Sequence, residues 1–155
     1  MKALTLTQPY ATLVAIGAKR IETRSWSTRY RGPLAIHAGK GLGPVGGERG
    51  IVALCQDDVF AQALKGRPLP PLGVIVANCT LVDVVPVEDV LCRVQIRPHD
   101  YDTGYHQWSV DGSERAFGDY TLGRYAWLLA DVRPVDPPIP ATGRQGLWEW
   151  ECEAG

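Results

Sequence analysis

Residues 72–87, LGVIVANCTLVDVVPV, decide the fold class. The segment is rich in β-branched residues and lacks the three-and-four apolar spacing of a helix. It reads as one long bent strand, or two joined strands, in the core of a sheet. Toward the C-terminus, Tyr125–Val132 (YAWLLADV) is another buried strand, the Pro-rich 134–140 reads as a turn, and Leu147–Trp150 alternates as a short last strand. Toward the N-terminus, Lys2–Leu6 and Pro33–Ala38 supply strands and Arg20–Ser25 an extended stretch. Pro9 suits a first helical turn and Gly17 a helix stop, which brackets a short helix over Tyr10–Ile16. Residues 51–64 carry the helix period, with Ile51, Cys55, Val59 and Ala63 on one face. The polar 97–119 reads as a long excursion with a little helix near Ser113–Phe117. Strands and helices do not alternate regularly, so a doubly wound parallel sheet is disfavoured. The expected fold is mixed α/β, mainly β: a compact barrel with short covering helices.

At 155 residues and 16.9 kDa the chain reads as a single domain over 1–155. Folding can bury about two-thirds of its extended surface, enough for a proper core. No apolar run reaches membrane-spanning length and the start has no signal-peptide pattern, so a cytoplasmic protein without membrane association is expected. Cys55, Cys79, Cys92 and Cys152, spaced by 24, 13 and 60, match no zinc or redox motif and read as free thiols. His37, His99 and His106 lack metal-ligand spacing, so neither metal nor cofactor is implied. The GKGLGPVGG stretch from Gly39 lacks the Lys-Ser/Thr pair of a P-loop.

The net charge of -1 conceals an asymmetry. Residues 1–50 hold eight basic side chains against two acidic ones, and the remainder is acidic. A local cationic cleft on a mildly acidic body is one consequence, and a solvated basic face is the other. Within this third, Glu22 and Arg24 share one face of an extended segment. Lys19, just after the helix stop, either complements the helix's negative end or, with Arg24 and Arg29, holds phosphate. Trp26, Tyr30 and Trp108 are candidates for stacking on an exposed base, or else for packing the barrel. His37 is placed to point into the cleft or to serve the core, and Arg124 sits at a turn that can present it to a ligand.

Two stretches carry a resemblance. LTQPYATLVAIGAKRIETRSW, residues 6–26, holds a Gln-Pro-aromatic-Ala helix start, then Gly-x-Lys-x-Ile-Glu-x-Arg, then Ser-Trp. The closing YAWLLADVRPV, PIP and GRQGLWEW complete it. Together they resemble ASCH domains, small PUA-like β-barrels, over nearly the whole chain. The resemblance implies an RNA-related cleft with Lys19, Glu22, Arg24 and Trp26 at its mouth and Tyr10 beside them. One branch of that family deacylates N4-acetylcytidine with a lysine that matches Lys19, and ribonuclease activity is attributed to another. A threonine acts in the deacylase branch where this chain has Glu22, so the pattern departs there. Two functions follow as expectations. The first is binding of single-stranded RNA or a modified nucleotide. The second is a small hydrolase acting on N-acylated nucleosides or RNA, with Lys19 and Glu22 catalytic.

Overall fold

The computed structural model describes residues 1–41, 47–91, 108, 110 and 112–152. Along them run β1 (Lys2–Leu6), α1 (Tyr10–Ala15), β2 (Ile21–Arg24), β3 (Gly32–Ala38), α2 (Gly47–Cys55), α3 (Asp58–Leu64), β4 (Val74–Pro86), α4 (Val87–Leu91), α5 (Ser113–Ala116), β5 (Tyr125–Pro140) and β6 (Leu147–Glu149). The expected aromatic and histidine positions Tyr101, Tyr105, His99 and His106, with Cys92, lie outside the described residues.

The strands form a six-stranded sheet in the order β2-β5-β4-β3-β1-β6, curled into a half-barrel. β1 and β3 are parallel and the other pairs antiparallel. The curl comes from β4 and β5, whose ladder slips at three places. At one of them β5 carries an extra residue, and Asp131 adopts a positive φ of 51°. Such bulges bend a strand and increase its twist. The 72–87 stretch is therefore one bent strand up to Pro86, after which Val87 opens α4.

Alternation along β1 and β3 separates two layers. Leu4, Leu6, Leu34 and Ile36 enter the main core with Trp127 and α1's Ala11 and Val14. Ala3 and Ala35 face the other side, packing with Ile75, Trp148 and Trp150. Thr5 and His37 belong to that second side by the period of two. A further cluster joins α1 to α3 and α5 through Leu13, Phe60, Leu64 and Phe117.

Two expectations need correction. Residues 51–64 are not one helix: Asp57 is extended, and its carboxylate accepts the Val59 N–H at 3.1 Å, capping α3. An aspartate favours that N-cap geometry strongly enough to stop one helix and start the next. Residues 134–140 are strand, not turn. The pairing of this stretch with β4 passes from Pro134 to Ile139, so Pro137 and Pro138 fall in an irregularity of the ladder, and beyond the short β2 the stretch is an edge; proline is tolerated in both places. Cys79 is buried, which pushes its thiol up to about 12; Cys55, half-buried, and Cys152, exposed, are also free thiols.

Candidate functional site

The Gly-x-Lys spacing has a direct structural cause. Helix α1 ends with the Gly17 N–H on the Val14 carbonyl and the Ala18 N–H on the Leu13 carbonyl, Gly17 adopting φ 78°. This is the Schellman closure, which a glycine at that position accepts without a Cβ penalty. It turns the chain so that the Lys19 side chain runs inward, where the residue is 1% exposed. Its Nζ donates to the Ile21 carbonyl at 2.7 Å and the Phe117 carbonyl at 2.6 Å, and lies 3.5 Å from Glu22 Oε2. Phe117 closes α5, so Lys19 does complement a helix C-terminus, though of α5 and not of α1.

Period two then brings Glu22 and Arg24 to one face. Arg24 Nε sits 3.1 Å from Glu22 Oε1 as an ion pair, without the alignment of a hydrogen bond, and Nη2 donates to the Thr5 carbonyl at 2.7 Å. Tyr10 covers the group, its ring centroid 5.8 Å from Lys19 Nζ. Burial raises the Tyr10 phenol, and the Glu22 carboxylate adds to the shift. A fourth member escapes sequence reasoning. Glu114 of α5 is buried, and its carboxylate accepts the N–H groups of Arg20 and Ile21 at 3.0 Å each. Burial raises its carboxyl, against those N–H groups and the Lys19 charge. Nothing in SERA marks that glutamate as buried.

The hub thus contains two cations and two carboxylates, closed on themselves. A phosphate-holding or reacting Lys19 needs an ammonium that reaches a ligand. Here Nζ donates to two carbonyls and pairs with Glu22 at 3.5 Å, so the ammonium is turned inward in this arrangement.

The other named residues are dispersed. Trp26 packs edge-on against Trp127, with centroids 4.8 Å apart, and its carbonyl accepts the Trp127 indole N–H. Arg29 is exposed, and the Tyr30 hydroxyl donates to the Pro33 carbonyl. These two stand before the N-terminal end of β3, while His37 is near its C-terminal end. At about 3.3 Å per residue, Pro33 and His37 are roughly 13 Å apart. Trp108 is buried and donates to the Leu129 carbonyl at 3.1 Å, leaving no face for a base. Arg124 pairs with Asp119 and bonds the Thr23 carbonyl, strapping β5 to β2.

His37 does line a cavity, but on the sheet face opposite α1. Its Nε2 donates to the Ala141 carbonyl at 3.1 Å, Nδ1 lies 3.2 Å from Thr5 Oγ1, and the ring meets Trp148 edge-on at 5.7 Å. Burial lowers the imidazole; the Ala141 bond opposes this and Lys40 reinforces it. The cavity has a volume of about 390 Å³, and Thr5, Lys40, Thr142, Arg144 and Gln145 share its wall with His37. Among the described residues no carboxylate lines it. Lys40 and Arg144 are exposed and form no ion pair among the described residues. Thr5 joins the two places, its carbonyl bound by Arg24 and its hydroxyl beside His37. The sequence signal for this wall was two cations flanked by glycine, Gly39-Lys40-Gly41 and Gly143-Arg144-Gln145-Gly146.

The class is thus a curled six-stranded sheet with a Gly-x-Lys-x-x-Glu-x-Arg hub under its first helix. The ASCH domain model matches residues 4–139, and the chain belongs to that family. An ASCH protein of Zymomonas mobilis is similar in structure, with 16% identity, a TM-score of 0.52, and coverage of 98% of this chain and 87% of that one. A tyrosine-to-phenylalanine variant of it gives 17%, 0.53, 98% and 90%, and a serine-to-alanine variant 17%, 0.52, 98% and 88%. At such identity the likeness speaks for the fold. No curated protein matches the chain.

Proposed function

We propose that this ASCH domain binds single-stranded RNA or a modified nucleotide at the end of the sheet where β1 and β3 finish. The observation that carries the reading is the cavity of about 390 Å³ bounded by Lys40, Arg144 and His37, with no carboxylate among the described residues of its wall. Its volume lies in the range of small-ligand sites, near the lower end. Its two cations suit phosphate, and Gln145 and Thr142 supply amide and hydroxyl groups for a base or ribose. The Lys19–Glu22–Arg24 hub acts behind it as a scaffold, since Arg24 fixes the Thr5 backbone and Thr5 in turn meets His37. Trp26 and Tyr30 contribute packing and an exposed edge in this account.

The test is fluorescence anisotropy with a labelled oligouridine. Two phosphate contacts predict affinity in the roughly micromolar range, with a log–log salt slope of about -1.4. Arg144→Gln should weaken binding about tenfold and make the slope shallower, with an unchanged melting temperature. Salt-insensitive binding, or full binding in Arg144→Gln, would overturn the reading.

A further inference from the structure

The cavity beside His37 differs from an open basic groove in how it is closed. Thr5 and His37, from neighbouring parallel strands, belong to its wall, and His37 is 1% exposed. Three glycines let the surrounding chain approach. A Cβ on Gly143 would stand 2.4 Å from the imidazole Cε1 and 2.9 Å from Thr5 Oγ1. One on Gly73 would stand 2.5 Å from Lys40 Cε, and one on Gly39 3.0 Å from Thr5 Cγ2. The Lys40 stem therefore lies along Gly73, and the 141–145 segment is held down on His37. The paired strands close the cavity at its back while Lys40, Thr142, Arg144 and Gln145 form an exposed rim, a shape that takes a chain end.

Charge narrows the ligand further. Lys40 and Arg144 contribute two cations, opposed by no carboxylate among the described residues of the wall. An internal phosphodiester brings one negative charge, whereas a phosphate monoester brings between one and a half and two near neutral pH (about -1.5 to -2). The Thr5 hydroxyl adds a proton-counting argument. It accepts the Trp148 indole N–H at 3.2 Å and lies within reach of two acceptors, His37 Nδ1 at 3.2 Å and the Arg144 carbonyl at 3.1 Å. A hydroxyl has one hydrogen. With His37 neutral, one of those acceptors goes without it. With His37 protonated, Nδ1 donates to Thr5 and the hydroxyl turns to Arg144, so every partner is used. The wall has a position for a third positive charge, which a dianion would draw upon.

From the closed back, the two cations at the rim and this network, we propose that the cavity is a subsite for a phosphate monoester, carried by a mononucleotide or by the phosphorylated end of a single strand. The proposal rests on the RNA-or-nucleotide reading above and deepens it.

Isothermal titration calorimetry on the whole chain distinguishes the two. The probes are oligouridine with a 5′-phosphate, with a 3′-phosphate and with hydroxyls at both ends, uridine 5′-monophosphate against uridine, and inorganic phosphate. We expect one phosphorylated end, or the mononucleotide, to bind about tenfold more tightly than its hydroxyl counterpart. Lys40→Gln and Arg144→Gln should erase that difference while both variants melt as the parent does. Equal affinity of every phosphorylated and hydroxyl pair overturns the monoester subsite and leaves RNA binding standing. Binding of inorganic phosphate without any RNA or nucleotide supports the subsite and overturns the wider reading. Absence of binding to every probe overturns both.

Discussion

Replacing Lys19 with methionine keeps a long unbranched side chain and removes the ammonium. The change leaves the Ile21 and Phe117 carbonyls without their donor and Glu22 Oε2 without the cation 3.5 Å away. Glu22 retains Arg24 at 3.1 Å and some contact with water at 12% exposure, so its loss is partly compensated. Breaking a buried pair by removing one partner costs about 3–5 kcal/mol. Two orphaned carbonyls add roughly 1–3 kcal/mol each where water cannot reach them. Allowing for the solvated side of Glu22 and for local relaxation, a loss of about 3–5 kcal/mol is the expected net. That is a large share of the roughly 5–15 kcal/mol by which such a domain is stable. It corresponds to a melting point lower by about 6–20 °C. Urea unfolding of parent and variant, followed by tryptophan fluorescence and far-ultraviolet circular dichroism, measures it. The double variant Lys19→Met/Glu22→Gln should recover part of the loss, because the carboxylate no longer lacks a counter-charge. A single variant within about 1 kcal/mol of the parent would refute the argument that this lysine is a structural keystone.

The remaining predictions concern other links in the same chain. Gly143→Ala should destabilise the protein by about 1–3 kcal/mol and displace the His37 ring, visible as a shifted imidazole resonance, since the new methyl falls on Cε1 and Nδ1. An unmoved ring and unchanged stability would contradict the close packing. Asp57→Ala should cost about 1 kcal/mol in urea unfolding through the lost α3 cap, and no cost would contradict it. His37 has its pKa lowered from 6.5 by burial, so on acidification through 6.5 the unfolded chain takes up a proton that the native site resists. This contribution to stability is present above pH 6.5 and declines below it, down to the folded value. His37→Gln should remove that component of the pH–stability curve. An identical slope in parent and variant would show that the imidazole does not titrate as its burial implies.

Much of the fold was legible because it rests on local rules. The β-branched 72–87 run, the Tyr125–Val132 run and the Pro9–Gly17 bracket each state their conformation within a few residues. What was not legible depends on neighbours. Prolines 134, 137, 138 and 140 speak for a turn, and a free outer edge together with a ladder irregularity spanning 135–138 lets them lie in β5. The Asp57 cap competes with a helical period that continues on both sides of it.

The site divides in the same way. Lys19, Glu22 and Arg24 were recognisable as a unit and do meet, but their charges turn on one another and on Glu114, a partner more than ninety positions away along the chain. The sequence left His37 either in the same cleft as Lys19 or in the core. The alternation of β3 puts it on the other face, where it meets Lys40 and Arg144, two residues the spacing alone did not bring together. Arg29 and Tyr30 stand at the opposite end of β3 because strand direction, not proximity in sequence, fixes which loops share an edge.

Where the ligand sits is therefore the central claim, and amide shift mapping with a 5′-phosphorylated oligouridine tests it most directly. The account predicts saturable shifts at Lys40, Gly41, Gly143, Arg144 and Gln145 and little change over Arg29–Gly32. Shifts concentrated at Arg29–Gly32, with the cavity residues silent, would contradict it.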